Sequence, residues 1–479
     1  MIFELVNDTI EKIEMKRINP ILIFFILFAI ATARDFIEFS LLQVNYTFLY
    51  IIHFNLFYMA IFLAYVFFIS VFSKEKIRKV VNIATIGFLL IVIAPIIDYF
   101  IFGRVFTYCY HSPDNLLKNI LTFFLYEACI GKGIIIETTI FKILAGLYIY
   151  YKTKSVLKPI IAFFFFYILE SLFALPALLT GLGSNFEVKM SLYYIILNVI
   201  FLTLISYRIN KKIFFGLIKN SRPLRSLFYV FMVFFGAFLA GIRYADYLFA
   251  AMIAIFFIWQ FAVVVNDIYD QKIDKLSNKK RPLILKILSE KRYMTVAEIF
   301  LLFSLLSGIV AGWIPFLIIC LCGVLAVLYS VPPVRIRKNI FATTVIGISS
   351  VLAFLVGYFS QLPIFSQEII YESIILFAAI SLGVVAKDFK DYESDKKSGV
   401  KTVFTVFGLK RGIAITTVFL FIAFSSPIFL LNTLKDLIII LTLAVVASLY
   451  FKKKQDYPMT IVFCILLLFY VMLRLKMLI

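Results

Sequence analysis

The chain has 479 residues, of which 63% are hydrophobic and 15% charged, and its mean hydropathy is +1.02. Soluble domains are typically about 45–50% apolar and about 25% charged, so this composition excludes an ordinary soluble protein and predicts an all-α polytopic membrane protein. The net charge of +20 could indicate nucleic-acid binding, but the Lys and Arg residues concentrate in short loops between apolar runs. That placement is typical of cytoplasmic loops. We therefore predict a multi-pass protein of the cell membrane, in contact with membrane lipids and with no nucleic-acid partner.

The N-terminal block, residues 1–207, is predicted to be a membrane domain of unknown role. Its first sixteen residues mix acidic and apolar positions, which is typical of an amphipathic surface helix. The stretch 116–130 is apolar on one face and predicts a half-span or an interfacial helix. Runs of about twenty apolar residues predict about six spans. These lie near 20–43, 48–73, 80–103, 130–151, 157–182 and 191–208.

Acidic side chains occur within or near these N-terminal spans. Ionisable groups are costly in hydrocarbon, so each is a candidate functional residue. They follow no repeated metal-binding spacing and are Asp35, Glu38, Asp98, Glu127, Glu137 and Glu170. We recognise no family in this block. Two roles stay open for it, an acceptor-handling or assembly module and a structural extension.

A basic connector, residues 208–223, separates this block from a C-terminal block, residues 224–479. Nine spans are predicted there, near 224–241, 246–267, 296–314, 315–331, 340–361, 369–387, 412–431, 436–451 and 458–477. The loops on one side of these spans hold most of the Lys and Arg residues, whereas the opposite loops hold few. Because positively charged loops face the cytoplasm, we predict that the loops after the second and sixth spans are cytoplasmic.

The loop after the second span carries an acidic cluster formed by Asn266, Asp267, Asp270 and Asp274. Asn266, Asp270 and Asp274 are spaced i, i+4 and i+8, so on a continuous helix they would form one stripe about 12 Å long. Asp267 lies one position round the helix and could reach the same cavity. Carboxylates at a membrane boundary are costly, which indicates a functional site.

A second acidic cluster, Asp388, Asp391 and Asp395, follows the sixth span. Its i, i+3, i+7 spacing predicts a second stripe on a helix. Two acidic stripes that face each other would repel unless cations neutralise them. Mg²⁺ suits these oxygen ligands better than zinc, since no His or Cys lies nearby. The pattern therefore predicts a magnesium–diphosphate site.

Basic residues adjoin both clusters. Arg281 follows the first cluster and Lys387 opens the second, while Arg335 and Arg337 lie in a Tyr-Ser-Val-Pro-Pro-Val-Arg-Ile-Arg segment that begins at Tyr329. Guanidinium groups bind phosphate oxygens in bidentate fashion. The Pro-Pro pair is expected to end a helix and stiffen the segment. These cations are therefore candidate phosphate ligands.

The motifs resemble those of the UbiA superfamily of intramembrane prenyltransferases, over about residues 222–477. One family motif, Asn-Asp-x-x-Asp-x-x-x-Asp with a following Arg-Pro, matches the first cluster and Arg281-Pro282. Another, Asp-x-x-Asp-x-x-x-Asp followed by Gly and Thr, matches the second cluster with Gly399 and Thr402. Ser394, where relatives commonly carry Gly, departs from the pattern without removing a ligand. The resemblance implies a nine-helix UbiA-type bundle, preceded here by about six further transmembrane helices.

The resemblance also implies roles for the site residues. Metal binding is expected of Asn266, Asp270, Asp391 and Asp395. Catalytic roles are expected of Asp270, Asp391, Arg281, Arg337, Lys387 and Tyr329. Substrate binding is expected of Asn266, Asp267, Asp274, Asp388, Asp395 and Arg335. The implied cofactor is Mg²⁺, and the implied substrates are a polyprenyl diphosphate and a membrane-soluble acceptor.

The predicted function is Mg²⁺-dependent transfer of a polyprenyl group, such as geranylgeranyl, to a lipid or aromatic acceptor in lipid biosynthesis. The segment 387–402 most resembles archaeal synthases that add a second geranylgeranyl chain to a glycerol-phosphate ether lipid. The Tyr-Ser-x-Pro-Pro segment is also common in quinone- and chlorophyll-type members, so the acceptor stays open. A non-catalytic transporter or lipid scaffold is an alternative, but it leaves the Asn-x-x-x-Asp-x-x-x-Asp pattern unexplained.

Overall fold

The computed structural model describes residues 2–42, 47–103, 116–123, 131–174, 185–277, 280–431 and 433–478. Over these residues the chain is helical and contains no strand. Fourteen of the described helices are long and apolar enough to cross a membrane. The prediction of an all-α, multi-pass membrane protein is therefore confirmed.

The chain divides into two compact units, Met1–Phe214 and Phe215–Ile479. The first contains eight described helices: α1 (Ile2–Met15), α2 (Pro20–Leu42), α3 (Phe48–Ser73), α4 (Ile77–Phe102), α5 (Leu116–Leu121), α6 (Lys132–Thr153), α7 (Leu157–Ala174) and α8 (Phe186–Ile209). The short helix α9 (Lys211–Asn220) contains the division between the units.

Two predictions for the N-terminal unit fall partly outside the described residues. Of the stretch 116–130, the structure shows α5 and a turn, and residues 124–130, with Glu127, lie outside the described part. The span predicted near 157–182 is described as α7, and its last eight residues lie outside. Five further helices of this unit, α2, α3, α4, α6 and α8, have the length and hydropathy of membrane spans.

Helix α3 is the central element of the N-terminal unit. It contacts α2, α4, α6, α7 and α8, and most of its residues are buried. Its Phe and Tyr rings pack against partners on the neighbouring helices; for example, Phe57 lies edge-on to Tyr194, with ring centroids 5.2 Å apart. Since lipid tails are as apolar as these side chains, close packing rather than water exclusion holds such helices together.

Over its described residues, the C-terminal unit contains nine helices of membrane-spanning length, as predicted. Between them lie three short helices that cover the site. The full series is α10 (Pro223–Ala240), α11 (Ala245–Tyr269), α12 (Gln271–Leu276), α13 (Glu290–Ala311), α14 (Trp313–Ser330), α15 (Ala342–Gln361), α16 (Gln367–Gly383), α17 (Tyr392–Lys397), α18 (Val403–Phe407), α19 (Leu409–Ser425), α20 (Leu434–Lys454) and α21 (Tyr457–Leu478).

Two glycines allow α10 and α15 to cross in close contact. A Cβ atom built on Gly236 would lie 1.9 Å from the carbonyl oxygen of Phe354, and one on Gly357 would lie 1.8 Å from that of Val233. Any larger residue would push the helices apart, and small residues are how membrane helices reach such contact. This crossing supports the wall of the cavity described below.

Candidate functional site

The two acidic clusters lie at two similar breaks in the helical backbone. Helix α11 ends at Tyr269; Asp270 caps it with φ −101° and ψ 11°, and the six-residue α12 follows. Helix α16 continues as a 3-10 helix to Phe389; Asp391, with φ −97° and ψ 4°, then precedes the six-residue α17. Helices α12 and α17 contact each other. The breaks therefore bring the two clusters together.

The prediction that each cluster forms a stripe on one continuous helix is wrong. Asp270 and Asp391 have backbone angles of the bridge region, which ends a helix. The last carboxylate of each cluster, Asp274 or Asp395, therefore belongs to a separate short helix. We call the segment 266–276 the first acidic turn and the segment 387–397 the second acidic turn.

In the first acidic turn, Asp267 is enclosed by donors from distant parts of the unit. Its carboxylate accepts hydrogen bonds from Arg222 Nη2 at 2.5 Å, Asn220 Nδ2 at 2.6 Å and the Tyr293 hydroxyl at 3.1 Å. Arg281 Nε lies 3.7 Å away. Asp267 is fully buried, and this ring of donors compensates the burial of its charge. In this structure Asp267 therefore holds the end of α9 against α11 and α13.

Asp270 is also held by cations. It accepts a hydrogen bond from Asn266 Nδ2 at 2.7 Å and from Arg335 Nη2 at 2.9 Å, and it forms an ion pair with Arg337. Arg335 also donates to the Tyr269 carbonyl oxygen at 2.7 Å. Both arginines come from the segment after α14, which ends at Ser330 just before Pro332-Pro333. The proline segment therefore carries two cations to the first acidic turn.

The third carboxylate of the first acidic turn, Asp274, lies 3.8 Å from Arg281 Nε. Arg281 also donates from Nη1 to Asn220 Oδ1 at 2.9 Å. Burial lowers the pKa of Arg222 to about 10, with the Asp267 carboxylate opposing that change. The guanidinium remains charged at neutral pH. Every carboxylate of the first acidic turn thus lies against an arginine.

The second acidic turn is less well compensated. Lys387 pairs with Asp388, but Asp395 Oδ1 is buried and has no hydrogen-bond partner in the described structure. Burial raises the pKa of Asp395 to about 6; the Arg337 guanidinium opposes the rise, and the Asp391 and Asp388 carboxylates add to it. Burial also lowers the pKa of Arg337, against the effect of the same three carboxylates. A cation bound beside Asp395 would therefore stabilise this turn.

Both turns border a cavity of about 560 Å³ inside the C-terminal unit. Away from these turns, the cavity is lined mostly by apolar residues of α10, α11, α14, α15, α16, α19 and α21, with Glu372 of α16 among them. Nine of the twelve predicted site residues line the cavity: Asn266, Asp274, Arg281, Tyr329, Arg337, Lys387, Asp388, Asp391 and Asp395. The other three, Asp267, Asp270 and Arg335, are engaged in the ion pairs described above.

Sequence reasoning missed several residues of the site. Arg225, Lys390, Lys401 and Tyr457 line the cavity, and Asn220, Arg222 and Tyr293 hold Asp267. The sequence signal for Arg222 was its position directly before Pro223 at the start of a span, where we saw only a domain connector. For Tyr293 no local signal exists, because its partner is 26 residues away along the chain.

We call the end of the cavity that the two acidic turns border its mouth. The side chains there supply oxygen ligands of the kind that a hard divalent cation binds. No three Asp, Glu, His or Cys side chains among the described residues lie close enough to share one metal ion. Arginines neutralise the carboxylates of the first turn. Carboxylate and amide oxygens are nevertheless the ligands that Mg²⁺ prefers, and the unpartnered oxygen of Asp395 offers a coordination position. The donor set therefore fits Mg²⁺, provided that the arginines give way.

Comparison with known proteins places this architecture in a family. The sequence model of the UbiA prenyltransferase family matches residues 229–473. Digeranylgeranylglyceryl phosphate synthase of Methanobrevibacter smithii is 27% identical over 213 residues, which cover 42% of this chain and 73% of that relative. The 2-acyl-4-prenylphloroglucinol 6-prenyltransferase of Humulus lupulus is 27% identical over 179 residues, covering 34% of this chain and 43% of the plant protein.

Solved structures show the same kind of likeness at lower identity. A UbiA homolog from Archaeoglobus fulgidus bound to DMAPP and Mg²⁺ is 19% identical, with a TM-score of 0.40, and the alignment covers 54% of this chain and 99% of that one. The chain spans less than two thirds of several curated relatives, including 55% of the Methanosphaera stadtmanae synthase.

The family match covers just over half of the chain and contains both acidic turns. The resemblance inferred from the motifs is therefore confirmed, and the predicted enzyme class, a transferase of prenyl groups, is the class of that family. The chain belongs to the UbiA prenyltransferase family.

Proposed function

We propose that the C-terminal unit transfers a prenyl group from a polyprenyl diphosphate to a membrane-soluble acceptor at the mouth of its cavity. The main observation behind the proposal is that the charged and the apolar side chains lie in different parts of the cavity. Cations and carboxylates converge at one end of the cavity, and apolar side chains line the rest. A prenyl diphosphate has the same division, with a charged head and a long apolar tail.

The cations at the mouth would bind the diphosphate. Arg281, Arg337, Lys387 and Lys390 all line it, and guanidinium groups bind phosphate oxygens in bidentate fashion. Arg337 is the most informative of them, because it lines the cavity and also pairs with Asp270. An arriving phosphate could take over this guanidinium and release the carboxylate for a metal.

Mg²⁺ would be held by Asp391 and Asp395 of the second turn together with Asn266 and Asp270 of the first. Bound there, the ion would stabilise the negative charge that develops on the departing diphosphate. The arginines and Lys387 would stabilise the same charge by hydrogen bonds that strengthen as the C–O bond of the donor breaks. These contacts favour ionisation of the allylic donor.

Aromatic side chains would stabilise the allylic cation that remains. Tyr229, Trp259, Tyr329 and Tyr457 line the cavity between the mouth and the apolar end. Aromatic faces attract cations by their quadrupole, and the apolar wall excludes water that would otherwise quench the cation. The acceptor then attacks and loses a proton.

The length of the cavity supports a long donor chain. Lining residues on α16 and its 3-10 extension run from Lys387 at the mouth to Glu372 at the apolar end. The helical rise makes this distance about 22 Å, a length suited to a chain of geranylgeranyl type. Glu372 places one carboxyl group at this otherwise apolar end, so it would limit the entry of longer chains.

The charge of the mouth favours an acceptor that carries phosphate. Seven cations line the cavity: Arg222, Arg225, Arg281, Arg337, Lys387, Lys390 and Lys401. Four carboxylates of the acidic turns accompany them. Asp267 and Asp270 pair with Arg222, Arg335 and Arg337, so with Arg335 the mouth has eight cations against six carboxylates. One Mg²⁺ bound with the diphosphate would leave a small excess of positive charge. A phosphate monoester, which carries about −1.5 to −2 charges at pH 7, would neutralise it, and this supports a glycerol-phosphate lipid over an aromatic acceptor.

The test is turnover by the purified full-length protein with geranylgeranyl diphosphate, Mg²⁺ and one of two acceptors, a geranylgeranylglyceryl phosphate or a prenylatable phenol. We expect pyrophosphate release and a new product only with the phosphate-bearing acceptor. If only the phenol gave a product, the acceptor would be an aromatic compound and not a phosphate-bearing lipid. No pyrophosphate release with either would favour a non-catalytic transporter or scaffold.

Chain length is tested with donors of increasing length. Glu372→Ala should increase turnover of donors longer than geranylgeranyl diphosphate. Glu368→Ala is the matched control, because Glu368 lies one helical turn away on α16 and is fully exposed. Equal donor preference in both variants would show that Glu372 does not limit the chain.

We also propose that the mouth faces the cytoplasm, since the loops beside the acidic turns are rich in Lys and Arg. A cysteine placed at the exposed Lys397 in a variant lacking the native cysteines should react with a membrane-impermeant thiol reagent in inside-out vesicles. Reaction only in right-side-out vesicles would reverse the orientation.

A further inference from the structure

The N-terminal unit contains a buried group of ionisable side chains that prenyl transfer does not use. Arg34, Asp35 and Glu38 occupy one turn of α2 and are each at most 2% exposed. Arg34 Nη1 donates to Glu38 at 2.7 Å and lies 3.5 Å from Asp35, and its guanidinium lies over the Tyr58 ring at 5.0 Å. Arg34 therefore interacts more strongly with Glu38 than with Asp35.

A second ion pair lies near the first. Lys142 of α6 binds Glu170 of α7 at 2.5 Å, and the hydroxyl of Tyr65 on α3 donates to the same carboxylate at 2.5 Å. Lys142 also lies 5.9 Å from the ring centroid of Tyr167. Glu170 is thus satisfied by one cation and one hydroxyl donor.

Glu137 of α6 connects the two pairs. It interacts electrostatically with Arg34, Lys142 and Glu170, it is 7% exposed, and no described residue hydrogen-bonds its carboxyl group. Asp98 of α4 interacts with it as well, and accepts the backbone N–H of Gly133 at 2.7 Å. That contact is at the N-terminal end of α6, where the helix dipole favours an anion.

The charges of this group do not balance. Among the described residues, five carboxyl groups, those of Asp35, Glu38, Asp98, Glu137 and Glu170, accompany two cations, Arg34 and Lys142. The excess of three negative charges would be very costly in a membrane interior. Among the described residues, Asp35 Oδ2 and Asp98 Oδ2 are buried without a hydrogen-bond partner. Asp98 Oδ1, however, accepts the backbone N–H of Gly133 at the N-terminus of α6. The carboxyl groups of Asp35 and Glu137 have no such donor, so they are where the excess charge can be relieved.

A shared metal ion is not supported, because no three acidic, His or Cys side chains among the described residues lie close enough to hold one. The remaining way to neutralise a carboxylate is to add a proton from water to one of its oxygens. We propose that Asp35 and Glu137 form a proton-binding site in the N-terminal unit, neutral at pH 7. Glu38 and Glu170 stay ionised against Arg34 and Lys142, and Asp98 stays ionised against the N-terminus of α6.

One end of this site is closed by aromatic packing. The Tyr65 ring stacks on Phe166 at 4.2 Å with an interplanar angle of 7°, and Phe68 packs on Phe165 at 4.5 Å. Asp98, in contrast, lies in the last turns of α4, and its partner Gly133 lies in the first turn of α6. The site therefore extends from this aromatic packing to the described end of α4 and start of α6.

Infrared spectroscopy of the full-length protein at pH 7 tests the proposal, because a protonated carboxylic acid has a C=O band that a carboxylate lacks. Glu137→Gln and Asp35→Asn should each remove part of this band. Asp8→Asn, at an exposed carboxylate of α1, should leave it unchanged. A band that neither buried variant alters would overturn the proposal.

Thermal unfolding supplies a second measurement that does not depend on the band. An amide has the shape and neutrality of a protonated acid, so Glu137→Gln should leave the Tm nearly unchanged. Glu38→Gln should lower it by several degrees, since it leaves the Arg34 charge buried with a weakened partner. If Glu137→Gln were the more damaging of the two, Glu137 would be an ionised structural partner and the proposal would fail.

Discussion

The two acidic turns have the same spacing but different electrostatic environments. Asp267, Asp270 and Asp274 correspond in spacing to Asp388, Asp391 and Asp395, and each set lies at a helix break followed by a six-residue helix. Arginines compensate the first set. The second has a lysine at Asp388 and an unpartnered oxygen on Asp395.

This difference shows that equal spacing can produce equal backbone shape without equal function. A short motif determines where its own carboxylates lie. It does not determine which cations reach them, because those cations come from other helices. Under the proposed function, Asp391 and Asp395 of the second turn would be the more available metal ligands, and Asp270 would join them where phosphate takes over its arginines. Five predictions test this contrast, in order of decreasing effect.

Removal of a carboxylate at either helix break should have the largest effect on activity. Asp391→Ala and Asp270→Ala should each reduce prenyl transfer by about 10³-fold or more, because each removes a ligand of the metal–diphosphate group. The measurement is pyrophosphate release at saturating Mg²⁺.

The matched control for the second turn is Glu393→Ala, since Glu393 lies in the same turn but is exposed. Its activity should match that of the unaltered protein. Comparable loss in Glu393→Ala and Asp391→Ala would indicate that any charge change in the turn disturbs the fold.

Substitution of the first Asp of each turn should destabilise the protein to different extents. Asp267→Ala leaves Arg222 buried without its partner, and breaking a buried ion pair costs about 3–5 kcal/mol. Asp388→Ala should cost less, because Lys387 lines the cavity and can extend into it. The comparison is made by denaturant unfolding in detergent. Equal destabilisation by both substitutions would contradict the view that Asp267 is held in a buried ion pair more tightly than Asp388.

Arg337 should affect donor binding more than stability. It contacts Asp270 and lines the cavity, and a hydrogen bond to a charged group contributes about 1.5–3 kcal/mol. Arg337→Gln should therefore raise the KM for the prenyl diphosphate by about 10- to 100-fold. Lys338→Gln, next to it in the same segment, is the control and should leave KM unchanged. A reduced kcat with unaltered KM would show that Arg337 acts on the transition state alone.

The raised pKa of Asp395 should make metal binding depend on pH. The carboxyl group is ionised above about pH 6 and protonated below it, so Mg²⁺ must displace a proton at lower pH. Apparent Mg²⁺ affinity should fall by up to about tenfold per pH unit below 6. Asp395→Asn should weaken binding and abolish this pH dependence. A pH-independent affinity in the unaltered protein would exclude Asp395 as a ligand.

The raised pKa of Asp395 should also make the stability of the metal-free protein depend on pH, but in the opposite direction from Mg²⁺ affinity. Because folding raises the pKa of Asp395, the folded state binds a proton that the unfolded chain does not bind between about pH 6 and the ordinary Asp value. This group therefore adds stability as the pH falls through 6. Thermal unfolding at pH 7.5 and pH 5.5 in the presence of a chelator measures this contribution.

Much of the C-terminal fold could be predicted because its signals are local. Runs of apolar residues located all nine spans, and the loop between α11 and α13 was identified by the motif at Asn266 to Asp274. The helix breaks were not predicted. Spacing alone is compatible with a continuous helix, and only the backbone angles at Asp270 and Asp391 show that the helix ends there.

The site residues were predicted unevenly for the same reason. Nine of the twelve line the cavity, since the two acidic motifs and the proline segment follow the ends of three spans, α11, α16 and α14. The enclosure of Asp267 by Asn220, Arg222 and Tyr293 was not foreseeable, because these donors lie up to 47 residues away along the chain. In the N-terminal unit the acidic residues were visible in the sequence, but their gathering around Arg34 and Lys142 was not.

The sequence by itself determined that this is a helical membrane protein, where its spans lie, and to which family its second half belongs. These properties depend on hydropathy and on spacing along one segment of chain. Only the tertiary structure decided which carboxylates are neutralised by arginine and which remain available. That outcome depends on distances between side chains of different helices, and at a few ångströms in a medium of low dielectric such distances control the electrostatic energy.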